Sequence, residues 1–339
     1  MRTFRELTAG KTGTIVCLLA GGETKTTRSG RAYGRPIFLD GGQRLAANLW
    51  NHTFEETVRR FPVGSVVSVT LTAKTYGGHL VYDVMNLKKG PANVTPDAFL
   101  RHPSADPEIL YTHILQWLMK ECPGHTAGDG SVTGLVLTLY AQHKPELLAA
   151  GAAKMAHGAY RGGLLEHIEA MFRSAVMLYR VYGGDGQYLD KEILYAGVLL
   201  HDIGKVVCYK TDPLGETSYE PSEYLEGHIL AGIRMIDAEV IRHPDLYAGI
   251  EARLDAVRHI LASSHGAPDY GAVKRPATGE AHLVALLDQI DAREMEVREG
   301  EQRADENGLD TGSRVLTGQV TYRPPFRPNG SDLAEQAVS

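Results

Sequence analysis

The pentad His201-Asp202-Ile203-Gly204-Lys205 closes an apolar run from Ile193 to Leu200. A run of that kind must be buried, so the pentad places a histidine, an aspartate and a lysine at the edge of a core. Adjacent side chains in mid-helix point about 100° apart, which makes a shared ligand awkward. At a helix end, where Gly204 is expected to let the backbone turn, both can converge on one metal. Further candidate ligands follow at helix-scale intervals: His167, His228, His265 and Asp288.

Each candidate lies in or beside an amphipathic stretch. His167 opens an apolar-periodic segment running to about Tyr182, and His228 opens another running through Ile236. His265 ends the run Ile260-Leu261-Ala262-Ser263-Ser264. Asp288 stands between Leu286-Leu287 and Ile290, where a carboxylate needs a partner, and a metal ion would supply one. The intervals of 34 residues (167 to 201), 26 (202 to 228), 37 (228 to 265) and 23 (265 to 288) each accommodate one helix and its turn. A helical bundle can therefore bring all these side chains to one centre.

In this order, His167, His201-Asp202, His228, His265 and Asp288, the set resembles the HD superfamily of metal-dependent phosphohydrolases. The N-terminal third reads differently. Strands are expected over 12–19, 35–40, 44–50, 65–73 and 79–84, with a short helix over 54–61. Five strands with a helix between the third and fourth is the order of an OB-fold barrel. The expected architecture is therefore multidomain α and β. It comprises a five-stranded OB-like barrel over 1–87, a proline-rich linker over 88–107, an all-α HD-domain bundle over 108–310 and a partly disordered extension over 311–339.

Residues 1–90 hold 13 Lys and Arg against 6 Asp and Glu, whereas the remaining residues hold 22 against 35. A basic first domain suits a polyanion. OB barrels hold single strands with basic side chains on phosphates and aromatic rings under bases. The candidates are Lys25, Arg28, Arg31 and Tyr33 in a glycine-punctuated loop over 24–34, Arg35 just after it, and Phe38, Trp50, Tyr76 and His79. Phe38 and Trp50 are equally at home in a core. The expected partner is single-stranded RNA or DNA.

Three scattered cysteines without CxxC spacing argue against a disulfide framework or a zinc ribbon. There is no signal-like N-terminus and no apolar run near the roughly 20 residues that span a bilayer. These features lead to an expectation of a cytoplasmic chain without a membrane partner, and they leave a homo-oligomer open.

The combination of an OB-like and an HD domain resembles the YhaM family of bacterial 3′-5′ exoribonucleases over roughly residues 10–300. It rests on Gly163-Leu164-Leu165-Glu166-His167, on Leu194 through Lys205, and on Tyr270-Gly271-Ala272-Val273-Lys274-Arg275-Pro276. Where that family carries a His-His pair, this chain reads Ser264-His265. The resemblance implies a metal-dependent exonuclease of single-stranded nucleic acid, RNA preferred. It implies one or two divalent ions per chain: Mn²⁺ foremost, with Fe²⁺, Ni²⁺ or Mg²⁺ as alternatives. His167, His201 and Asp288 would hold one ion, His228 and His265 the other, and Asp202 would bridge. Asp291 is the rival to Asp288 and is otherwise a supporting partner. Asp202 and Lys205 are the candidate catalytic residues, with Lys205, Lys274 and Arg275 placed to meet substrate phosphates. Two alternatives remain: a nucleotide or cyclic-dinucleotide phosphohydrolase, and a nucleic-acid-binding adaptor with a decayed HD site.

Overall fold

The structure, a computed structural model, describes residues 4, 7–154, 158–184, 187–304, 307–310 and 320–326. The chain divides into two compact units, Met1–Arg101 and His102–Ser339.

The first unit is a five-stranded antiparallel sheet: β1 (Thr12–Thr26), β2 (Ala32–Asp40), β3 (Gln43–Ala46), β4 (Val66–Tyr76) and β5 (His79–Lys89). The sheet order is β3-β2-β1-β4-β5. Helix α1 (Phe54–Arg60) sits between β3 and β4 and opens with a capping box formed by Thr53 and Glu56. The two edges meet through a parallel bridge between Asn48 and Asp83, which curls the sheet into an OB-like barrel. Alternating inward residues Ile15, Cys17, Leu19, Phe38, Val67, Val69 and Leu71 form its core.

Two expectations change here. β1 does not stop at residue 19 but passes a bulge between Leu19 and Gly21 and runs on to Thr26. Only residues 27–31 of the basic stretch lie outside strands; Lys25, Tyr33 and Arg35 are paired into the β1–β2 ladder. Gly22 allows this continuation, because a Cβ there would stand 2.6 Å from the Phe54 ring and 2.7 Å from the Arg35 carbonyl. The expected linker is also partly structured. β5 takes in residues 88 and 89, and a 3₁₀ turn over Pro96–Phe99 buries Phe99.

The second unit is mainly helical. In order it contains α2 (Pro107–Glu121), α3 (Val132–Gln142), α4 (Lys144–Ala149), α5 (Gly163–Tyr182), α6 (Lys191–Leu200) and α7 (Lys205–Cys208). There follow β6 (Tyr209–Thr211), β7 (Thr217–Tyr219), α8 (Pro221–Leu225), α9 (Gly227–Arg242), α10 (Glu251–Ser263) and α11 (Gly279–Arg303). Helix α6 is buried on every side from Ile193 to Leu200, the pattern of a central helix. It packs against α3, α5, α10 and α11. On α5, Leu164, Leu165, Ile168, Met171, Phe172, Ala175 and Val176 fall on one face and are buried. Each large apolar side chain there contributes roughly 1.5–3 kcal/mol by its burial, enough to hold the helix in one orientation. His167 lies on the same face and is buried with it.

The β6–β7 hairpin interrupts a region expected to be nearly all-helical. Asp212-Pro213-Leu214-Gly215 between Thr- and Tyr-bearing flanks is its turn signal. Toward the C-terminus, β8 (Leu309–Asp310), at the end of the span expected to be helical, pairs with β9 (Thr321–Tyr322). Residues 311–319 and 327–339, including the tail expected to be disordered, lie outside the described residues. No described helix is long and apolar enough to cross a membrane.

Candidate metal centre

Helix α6 ends at Leu200, and the pentad follows as successive tight turns. Ile203 N–H donates to Leu200, Lys205 N–H to Asp202 and Val206 N–H to Ile203. These i→i−3 bonds are the 3₁₀ pattern. Gly204 does not serve as a left-handed turn residue: its φ is −64°. It is required by close approach, since a Cβ would lie 1.9 Å from the His228 carbonyl oxygen and 2.6 Å from Gly232 N. The absent side chain lets α9 pack on the pentad, and that contact carries His228 to Asp202.

His167, His201 and Asp202 form one group and Asp202, His228 and His265 a second, each with its ligand atoms within 4.8 Å of one another. In the first, His167 Nε2 lies 3.3 Å from His201 Nε2, 3.5 Å from Asp288 Oδ1 and 3.9 Å from Asp202 Oδ2. His201 Nε2 is 3.3 Å from Asp202 Oδ2. In the second, His228 Nε2 is 3.5 Å from both Asp202 Oδ1 and His265 Nε2. The two oxygens of Asp202 thus face different histidine pairs.

Every imidazole is held from behind through Nδ1. His167 bonds Asp291 Oδ2 at 2.6 Å, and His201 bonds the Val198 carbonyl at 2.8 Å. His228 bonds Glu223 at 3.1 and 3.2 Å, and His265 bonds the Tyr270 carbonyl at 3.1 Å. Donation from Nδ1 leaves Nε2 as the lone-pair nitrogen, and all four Nε2 atoms converge. Ligand atoms 2.0–2.2 Å from a common ion would stand roughly 3–3.5 Å apart, close to the separations here. Asp202 Oδ1 is buried with no hydrogen-bond partner among the described residues. A buried carboxylate oxygen left so costs free energy that a cation would recover. The donor set therefore fits divalent metal.

The electrostatics hold both carboxylates ionised, while His167 gives up a proton when a cation binds. Burial alone would raise the Asp202 carboxyl, but Lys205, His201 and His228 outweigh it and hold the group well below the usual carboxylate range. Burial opposes ionisation of Asp288 too, yet His167 and His201 bring it down to about 2. Burial works against a charged His167, whereas Asp288 and Asp291 raise it to about 9. His265 is pushed below its ordinary value, chiefly by burial.

Residues 164–293 match the family model described as HD domain. That span contains all six candidate ligands, with Glu223 and Asp291 behind them. The HD domain and the His/Asp cluster indicate a metal-dependent phosphohydrolase requiring a divalent metal.

Beside the cluster lies a cavity of about 200 Å³ lined by Lys205, Tyr209, His228, His265, Tyr270, Asp288, Gln289 and Arg293, among others. Lys205 is already engaged, 2.5 Å from Asp202 Oδ2 and 2.7 Å from the Ala152 carbonyl. Lys274 and Arg275 are exposed and do not line the cavity; the Lys274 backbone N–H is tied to the Ala262 carbonyl. Ser264 is buried, and its hydroxyl donates to Leu261 O, away from the cluster. Glu223, Tyr209 and Arg293 were missed from sequence. Glu223 had one signal, a carboxylate in a short proline-started turn five residues before His228.

In the barrel, Tyr33 stacks on Trp50 with ring centroids 4.6 Å apart. Arg31 donates to the Trp50 carbonyl at 3.0 Å and to Asn51 at 3.4 Å. Lys25 pairs with Glu23 at 3.0 Å, and Arg28 and Arg35 complete the basic set on this hairpin. Phe38 is fully buried, whereas Trp50 keeps 39% exposure. Tyr76 and His79 flank the β4–β5 turn and are exposed.

Proposed function

We propose that this protein is a metal-dependent 3′-5′ exonuclease of single-stranded nucleic acid, RNA preferred, working with Mn²⁺. The observation that carries the reading is the Asp202 carboxylate set between two histidine pairs, inside the HD match. His167, His201 and Asp288 would hold one ion, His228 and His265 the other, and Asp202 both. Bound there, divalent metal would supply an acidified water and neutralise charge on the phosphoryl oxygens.

The chain's own residues do the rest. Lys205 keeps Asp202 ionised, so this carboxylate has no proton to lose before a cation is held. Asp291 and Glu223 fix the rings of His167 and His228, which sets where their nitrogens point. The basic hairpin and the Tyr33–Trp50 pair of the barrel supply cations and aromatic faces suited to a single strand.

The test uses 5′-labelled single-stranded RNA and matched DNA, with Mn²⁺ or with chelator, comparing wild type and Asp202→Ala. Stepwise shortening from the 3′ end, dependent on metal and absent in Asp202→Ala, is the expected result. Binding of both strands with no cleavage under any metal would sink the nuclease reading and favour the adaptor. Hydrolysis of free nucleotides alone would favour the small-nucleotide phosphohydrolase.

A further inference from the structure

The cavity beside the metal centre contains two cationic side chains, Lys205 and Arg293. Lys205 is buried and committed to Asp202 and the Ala152 carbonyl. Arg293 is exposed, and no ion pair to it is found among the described residues. It is therefore the free cation of this cavity. We infer that Arg293 binds the phosphate next to the scissile one, so that the site distinguishes a strand from a single phosphodiester. This inference rests on the nuclease reading above.

The position of Arg293 on α11 sets its target. Asp288 and Gln289 lie one turn before Ala292 and Arg293, and all four line the cavity. Residues four apart share a helix face, so this side of α11 forms one wall. Ala292, buried and small, leaves room above Asp288. Gln289 stands over the backbone of Gly266, where a Cβ would come 2.7 Å from its Nε2. Arg293 is five residues from Asp288, about 7.5 Å along the helix axis. A phosphate held at the histidine cluster faces Asp288, and the guanidinium reaches a group one step further along the wall. In a nucleic-acid strand that next anionic group is the neighbouring phosphate. A guanidinium suits it because its planar fork meets two phosphate oxygens at once and stays charged at any working pH.

The test compares a dinucleoside monophosphate, which has one phosphodiester, with a trinucleotide, which has two. Wild type, Arg293→Ala and Arg293→Lys are assayed for kcat and KM on both. Binding of fluorescently labelled di- and trinucleotides with phosphorothioate linkages is followed in parallel by anisotropy, in the presence of Mn²⁺. Wild type is expected to favour the trinucleotide through KM, and Arg293→Ala to lose about tenfold of that preference, the scale of one charge-assisted contact. Arg293→Lys should restore part of it, keeping charge without the fork. Equal losses on both substrates, or no loss, would overturn the assignment. Absence of cleavage with the binding preference intact in wild type and lost in Arg293→Ala would remove the nuclease reading and leave the clamp. Cleavage with no binding preference would do the reverse.

Discussion

Two buried aspartates, one in each unit, are treated in opposite ways. Asp83 in the barrel accepts from Trp50 Nε1 at 2.9 Å, Asn48 Nδ2 at 3.3 Å and Lys74 Nζ at 2.8 Å, so both oxygens are satisfied. Asp202 in the helical unit is more deeply buried and keeps one oxygen without a partner. Asp83 sits where the two edges of the sheet meet, and its bonds tie that closure together. Asp202 sits where four imidazoles converge, and its unmet oxygen faces His228. A completed network fixes structure, and an incomplete one at the centre of a rigid scaffold marks a place for a ligand.

The largest effect that separates the two is on hydrolysis. Asp202→Ala should lower metal-dependent phosphodiester hydrolysis by about 10³-fold or more, the scale of several kcal/mol of transition-state stabilisation. Asp83→Ala should instead act on stability. It removes the bonds to Trp50, Asn48 and Lys74, which lie where water can replace part of them, and should cost the barrel about 1 kcal/mol in denaturant unfolding. If Asp83→Ala abolished hydrolysis while leaving unfolding unchanged, the contrast would collapse.

Next come the carboxylates behind the histidines. Asp291→Asn and Glu223→Gln should each weaken metal affinity by about 10–100-fold in titration calorimetry, with the helical content of the chain retained. Their effects should fall on different ions if two bind. An indistinguishable change in a single binding event would mean that the two histidine pairs serve one ion.

The smallest effect concerns pH. Burial alone would raise the Asp83 carboxyl, but Lys74, Trp50 and Asn48 outweigh it and hold it below its ordinary 3.8. The folded state therefore binds fewer protons at this group than the unfolded state does. Its stabilisation is complete above the unfolded value and is lost as pH falls through the lower folded value. Acid titration of the chain with and without Asp83→Asn, both carrying Trp117→Phe so that fluorescence reports Trp50, should show a shallower decline in the variant. Parallel curves would assign acid sensitivity elsewhere.

Much of this was legible in the residues. The apolar spacing of α5 and α9 announced helices carrying His167 and His228, and β-branched enrichment announced β4. The β6–β7 hairpin was not legible at that scale, because its strands are three residues long and its turn signal lies within a helical region. The course of β1 past Leu19 was hidden because Gly21 and Gly22 read as a break, when in the fold they pair with Ile37 and Pro36 just past a bulge. Lys274 and Arg275 drew attention as a basic pair, yet α11 rather than their loop walls the cavity.

The sequence by itself determined the order of elements and the inventory of ligands, because helix and strand periodicity and residue chemistry are local properties. Only the tertiary structure decided which nitrogen of each histidine points inward, because that depends on partners up to 124 residues away, as with His167 and Asp291. It also decided that Gly204 is there to admit α9, that Asp202 keeps one oxygen unmet, and that Arg293 rather than Lys205 is the cavity's free cation. These are consequences of close packing between distant segments, which no local pattern encodes.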